Sequence, residues 1–289
     1  MNKIYACLDD RAPPFPVVDA AVWCARHLQA PLEFLHVRDR ERHPRTSVVD
    51  LSGVVGLAAQ EALLRTLVER DERQVLSGRQ AGCLVLKNAR YRALASGLDD
   101  VIARFSHREL EHHACDIRDD ARLLVIGSCF PHADAHGRRR TEHLRNALCS
   151  MKTPALLVPD SPFQEPRCLV LAIDGRSFSH KSLIDVLLAT PALTRLPVFI
   201  ATAPTSDAKS GRRLQEAVDL LACAGFDIQT RPGARGSRPE ASGRPAWHVP
   251  ALLIMGNDND GCWQQLLSGR ATGPSLVPGA MPVLVLPCH

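Results

Sequence analysis

A chain of 289 residues is long enough for two ordinary domains, each burying its own core. With 45% hydrophobic and 23% charged residues it has the balance of a globular protein and not of a disordered one. A formal charge of +4 and only 4% aromatic residues argue against nucleic acid as a partner, since neither a strong basic field nor stacking platforms are present, the local run Arg138-Arg139-Arg140 notwithstanding.

Taken in order, the first element is an apolar run from Ile4 to Leu8, closed by Asp9-Asp10. A helical pattern from Val17 to Gln29 and a strand from Leu32 to Val37 complete a β-α-β unit, which implies parallel strands. Leu57, Leu63, Leu64, Leu67, Val68 and Val75 recur at helical spacing between Val54 and Arg79. The apolar run Cys83 to Lys87 reads as a third strand, followed by helices over Gly97 to Phe105 and Arg108 to Asp116. Leu123 to Ile126 is a fourth strand, Thr141 to Cys149 a helix, and Ala155 to Val158 a fifth strand.

Residues 161–166, with two prolines and no periodicity, read as a linker. Beyond it the series starts again. Strands are expected at Cys168 to Ile173, Val198 to Thr202 and, weakly, Asp227 to Thr230, with helices at Ser179 to Leu188 and Arg212 to Ala224. Gly233 to Pro245 is rich in Gly, Pro, Arg and Ser, so the helix expected there is reduced to a loop. The closing segments repeat those of the first half. Arg122-Leu123-Leu124-Val125-Ile126-Gly127 and Thr153-Pro154-Ala155-Leu156-Leu157-Val158-Pro159 return as Pro250-Ala251-Leu252-Leu253-Ile254-Met255-Gly256 and Met281-Pro282-Val283-Leu284-Val285-Leu286-Pro287. This is the signature of a tandem duplication: residues 1–160 as one α/β domain, enlarged around its third strand and helix, and residues 167–289 as a second, trimmed one.

Ten cysteines without a Cys-x-x-Cys pair, several inside apolar runs, read as reduced thiols of a cytoplasmic protein. No uninterrupted apolar run reaches the roughly 20 residues of a membrane helix, so no membrane partner is expected. In an open parallel sheet, ligands sit outside the carboxyl ends of the strands, at the switch in strand order. Asp9 and Asp174 follow the first strand of each half, where a carboxylate accepts hydrogen bonds from a ribose or base, or merely starts a turn. Gly127 and Gly256 end the fourth strands, where a Gly-rich turn lets backbone N–H groups approach phosphate.

On these residues the chain resembles a tandem universal stress protein, two copies of that family's domain covering nearly its whole length. The resemblance implies two flavodoxin-like (Rossmann-like) domains, each an open five-stranded parallel sheet flanked by helices. It also implies pairing through the last strands. The chain would then carry within itself the dimer that single-domain relatives make, with a further homodimer left open. Nucleotide-binding members carry Gly-x-x-Gly, nine residues, then Gly-Ser/Thr after the fourth strand, an Asp after the first and a hydrophobic residue after the second. In the second half Asp174, Gly256 and Gly269 match, while Asn259 replaces the second Gly and Arg270 the Ser/Thr. In the first half Asp9, Val37 and Gly127 match, while Phe130, Thr141 and Glu142 depart.

Arg270 can grip phosphate bidentately and Asn259 tolerates a left-handed backbone, but Asp258 and Asp260 repel a polyphosphate unless a divalent cation intervenes. Phe130 and Glu142 suit phosphate poorly. Three classes of function follow. The first is a non-catalytic stress-response or regulatory protein with degenerate nucleotide loops and an unidentified protein partner. The second is an adenine-nucleotide binder (ATP or AMP, with Mg²⁺) working through the second half, with at most very slow hydrolysis. The third is an enzyme at the enlarged first crevice, for which no nucleophile, base and oxyanion hole assemble. His107, His112, His113 and Cys115 lack tetrahedral metal spacing, and a Cys7–His36 dyad is disfavoured by strand alternation. Trp23, Trp247 and Trp263 read as packing residues.

Overall fold

The structure, a computed structural model, describes residues 3–8, 14–37, 76, 78–106, 113, 116–127, 148, 153–173, 190, 193, 195–202, 208–229, 249–256 and 281–287. Its elements are β1 (Lys3–Leu8), α1 (Pro14–Leu28), β2 (Leu32–Val37), α2 (78–95), β3 (Val101–Ser106), β4 (Ala121–Gly127) and β5 (Ala155–Val158), then β6 (Cys168–Ile173), β7 (Val198–Thr202), α3 (Ala208–Cys223), β8 (Ile228–Gln229), β9 (Ala251–Gly256) and β10 (Val283–Leu286).

All ten strands form one sheet in the order β3-β2-β1-β4-β5-β10-β9-β6-β7-β8. Every pairing is parallel except the central one, where β5 and β10 run antiparallel with Val283 opposite Leu157, Leu284 opposite Leu156 and Val285 opposite Ala155. The two five-stranded stretches meet edge to edge at their proline-flanked last strands.

A proline directly before a strand explains how the ladders begin. Pro31, Pro154, Pro197, Pro250 and Pro282 each lead into a strand, and each turns its carbonyl to a neighbour: to the N–H of Ile4 (2.9 Å), Leu124 (3.0 Å), Leu169 (2.9 Å), Arg167 (2.8 Å) and Leu253 (3.0 Å). At that position the missing proline N–H removes no ladder bond. The helix exits are equally regular. After α2 the Gly97 N–H reaches Leu94 O (2.9 Å) and the Leu98 N–H reaches Ala93 O (3.3 Å), with Gly97 at φ +83°. After α3 the Gly225 N–H reaches Ala222 O (3.0 Å) and the Phe226 N–H reaches Leu221 O (3.1 Å), with Gly225 at φ +86°. Both are Schellman turns, in which a left-handed residue frees the chain to enter the next strand.

Alternation along the strands divides the core into two layers. Ile4, Ala6, Leu123, Val125, Leu169, Leu171, Leu252 and Ile254 face one side, together with α1, the Leu86, Ala89 and Ala93 side of α2, and Leu221 of α3. Tyr5, Cys7, Leu124, Ile126, Val170 and Leu253 face the other, with Ile117 and Leu148. Trp23 lies in the first layer with its ring centroid 5.9 Å from that of Phe163, so the expected linker packs against α1.

Two expectations are corrected. Cys83 to Lys87 lies inside α2, and residues 101–106, expected at the end of a helix, form β3. Gly82, Leu86, Ala89 and Ala93 are buried at helical spacing, whereas Cys83 and Leu84 are exposed, so the apolar run straddles two faces of a helix and does not line one strand. Gly97 ends α2 and starts nothing. β3 is hard to read because it is an edge strand, with its four inner residues not buried. The expected helix from 54 to 79 falls almost entirely outside the described residues, as do that of 179–188 and the 233–245 loop.

Candidate functional site

The switch in strand order falls between β1 and β4, and again between β6 and β9. Cys7 pairs with Ile126 and Leu171 with Ile254, so continuing each register to the strand ends brings Leu8 beside Gly127 and Ile173 beside Gly256. Gly127 in turn pairs with Val158, and Gly256 with Leu286. The two crevices therefore have the same frame at their carboxyl rims, with glycine at the same level in each. Asp9 and Asp174 are the next residues in the chain after Leu8 and Ile173; they lie outside the described residues, as do Asn259, Gly269, Arg270, Phe130, Thr141 and Glu142. Val37 ends β2, is buried, and pairs with Ser106 at the end of β3.

Two groupings in the first half have no counterpart in the sequence reading, one at the carboxyl end of β3 and one toward the amino ends of β1, β2 and β4. At the rim, the His113 imidazole and the Ser106 hydroxyl are hydrogen-bonded to each other, both buried. His113 thus stands against the sheet, while His107, His112 and Cys115 lie outside the described residues; among the described residues no three His, Cys, Asp or Glu side chains gather around one point. Across the second face runs a charged network. Glu33 is wholly buried on β2 and pairs with Lys3 Nζ at 3.4 Å and with the Arg104 guanidinium. Lys3 also lies 3.7 Å from Asp120, whose carboxylate accepts a hydrogen bond from the Tyr5 hydroxyl at 2.9 Å. Sequence spacing could not have joined Glu33 to Arg104, since the contact depends on the β2–β3 register. Cys7 and His36 take opposite faces: Cys7 joins the second layer, while the His36 ring stacks on Phe105, with centroids 5.1 Å apart, beneath α2.

Burial, the Asp120 hydrogen bond and the charge of Glu33 together hold the Tyr5 phenol well above its ordinary range. The unfolded chain releases this proton near pH 10 while the folded chain keeps it. The stability tied to Tyr5 is therefore complete below about pH 10 and falls as pH rises further, by about 1.4 kcal/mol per unit. Burial likewise pushes the Cys24 thiol up to about 12, which acts in the same direction. Urea midpoints measured at about pH 8 and about pH 11 should drop steeply in the parent and less steeply in Tyr5→Phe. Equal slopes would remove Tyr5 from the account.

An open, mostly parallel sheet flanked by helices, with paired switch points, is a flavodoxin-like α/β protein. No family model matches the chain. Among curated proteins it is similar to the universal stress protein Slr1230 of Synechocystis, 25% identical over 287 residues that make up 98% of this chain and 99% of that protein. Among solved structures it is similar to a putative universal stress protein from Pseudomonas aeruginosa UCBPP-PA14, with 16% identity, a TM-score of 0.50 and coverage of 100% of this chain and 94% of the other, a likeness of fold. Over nearly its whole length the chain is thus similar to a universal stress protein in sequence, and to a putative one in fold. No helix among the described residues is long and apolar enough to cross a membrane.

Proposed function

We propose that this chain is a tandem universal stress protein acting as a non-catalytic stress-response regulator, with residues 1–160 and 167–289 as its two domains and both nucleotide loops degenerate. The observation that carries the tandem reading is the repeated frame: glycine at the end of β4 and of β9, level with the end of β1 and of β6, in a strand order that reads alike from either end of the sheet. The intramolecular β5–β10 pair then takes the place of a dimer contact. In the first half, the sequence has Phe130 and Glu142 at the motif positions that phosphate binding would need, which favours a partner or ligand other than ATP.

The second reading, adenine-nucleotide binding in the second domain, is supported by Asp174, Gly256, Gly269 and Arg270. Asp174 would take the nucleoside, and Arg270 would hold phosphate beside Asn259 with a divalent cation offsetting Asp258 and Asp260. Calorimetric titration of the intact protein with ATP, with and without Mg²⁺, separates the two. The regulator reading expects no binding tighter than about 1 mM, near −4 kcal/mol. Binding near 1 μM, about −8 kcal/mol, that is lost in both Asp174→Ala and Arg270→Ala would overturn it in favour of a working second site.

A further inference from the structure

A cavity opens at the other end of the first half from its crevice. It has a volume of about 700 Å³ and lies between the exit of α1, the turn from α2 into β3, and the start of β4. Pro31 O accepts from the Ile4 N–H at 2.9 Å and Asp100 O from the Leu32 N–H at 3.1 Å, which ties its walls to the amino ends of β1 and β2. Ala30, Pro31 and Leu98 make it apolar in part, and the exposed residues Arg26, Gln29 and Asp100 line the rest together with Arg122.

Charge around this cavity is balanced. Arg26 and Arg122 stand against Asp100, with Asp99 next to it in the chain, and the carboxyl ends of α1 and α2 add partial negative charge. Arg122 is committed to the fold, its Nη1 donating to Leu28 O at 2.9 Å. Arg26 reaches the exit of α2, where a Cβ on Gly97 would lie 3.8 Å from its Nη2. Among the described residues neither Arg26 nor Asp100 forms an ion pair, with the other or with a neighbour. One cation and one carboxylate are thus available on the same cavity. A polyphosphate would meet two carboxylates and two helix carboxyl ends, whereas a ligand with one charge of each sign finds a partner for both. Gln29 adds a third group. α1 ends as α2 and α3 do, on a left-handed residue, with the Ala30 N–H reaching Ala25 O at 3.2 Å, but here that residue is Gln29 at φ +48° in place of glycine. Glycine would hold the turn without the steric cost of a Cβ. What the glutamine supplies is a primary amide on the cavity wall, which donates and accepts as a peptide group does.

We propose that this cavity binds a short zwitterionic peptide, with its terminal carboxylate on the Arg26 guanidinium, its terminal ammonium on the Asp100 carboxylate and a peptide group on the Gln29 amide. The volume falls within the roughly 300–1,000 Å³ of small-molecule sites and exceeds what a single amino acid fills. Ala30, Pro31 and Leu98 then take an apolar side chain.

Calorimetric titration of the full chain with the tripeptide Ala-Leu-Ala tests the site. Binding at about 1 mM or tighter is expected, weakened about tenfold when either end is blocked, in N-acetyl-Ala-Leu-Ala or in Ala-Leu-Ala amide. Arg26→Ala should weaken the free peptide about tenfold and leave the amide unchanged, and Asp100→Asn should do the same and leave the acetylated peptide unchanged. Gln29→Gly should weaken all three peptides while the melting temperature holds or rises. These positions are exposed, so unchanged circular dichroism will establish that the variants are folded. No binding up to about 10 mM Ala-Leu-Ala overturns the proposal, as does binding indifferent to the blocked ends, or end effects that persist in Arg26→Ala and Asp100→Asn. Leucine binding as tightly as Ala-Leu-Ala, or inorganic phosphate binding more tightly, also overturns it, in favour of a site for a single amino acid or for an anion.

Discussion

Gly82→Val is expected to cost about 3 kcal/mol of stability, the upper end of the usual range for overpacking. Glycine at this point of α2 is a requirement of contact. A Cβ there would lie 2.5 Å from Phe105 Cε2 and 2.7 Å from both Cε1 and Nδ1 of His36, and these two rings are stacked on each other and fixed to adjacent strands. The gain of roughly 0.5–1 kcal/mol from removing a mid-helix glycine does not offset such a clash. Gly225→Ala is the control. Its added Cβ meets nothing within 4 Å, and its φ of +86° alone should cost about 1 kcal/mol. Urea unfolding of the two variants distinguishes sterics from backbone strain; equal losses would mean that α2 is free to lift from the sheet.

The second large effect concerns Glu33. A carboxylate with no exposure tolerates its position because Lys3 and Arg104 supply positive charge at the same spot. Replacing both cations by methionine leaves that charge buried alone, and a loss of about 3–5 kcal/mol is expected. Removing the third member as well, in Lys3→Met/Glu33→Met/Arg104→Met, should recover most of the loss, because apolar groups of similar volume need no compensation. Denaturation midpoints of the double and triple variants decide the matter: a triple variant no more stable than the double would mean that packing, and not the stranded charge, sets the cost. Arg104 is 57% exposed, so its single replacement should cost much less than the pair.

Most of the strands could be read from the chain because proline and apolar runs act together. β2, β5, β6, β7 and β10 fall where the runs Leu32 to Val37, Ala155 to Val158, Cys168 to Ile173, Val198 to Thr202 and Val283 to Leu286 place them. β3 and α2 could not be read correctly, because Cys83-Leu84-Val85-Leu86 imitates a buried strand and Val101 to Ser106 lacks a buried face to betray one. The glycines at the crevices were legible through the internal repeat. The Glu33 network and the Ser106–His113 contact were not, since each joins residues whose proximity is created by strand pairing or by a chain reversal, for which local periodicity carries no information.

The place of β10 has a consequence for how this protein can be shortened or assembled. In many sheets the last strand is a border piece whose loss trims the fold at its margin. Here Val283–Leu286 lies at the middle of ten strands, between β5 and β9. Without it the sheet would divide into two parts, each with a newly bare edge open to strand addition. Until that short strand is seated, β5 and β9 are both exposed to wrong partners, so the interval before its arrival is when the chain is most exposed to aggregation.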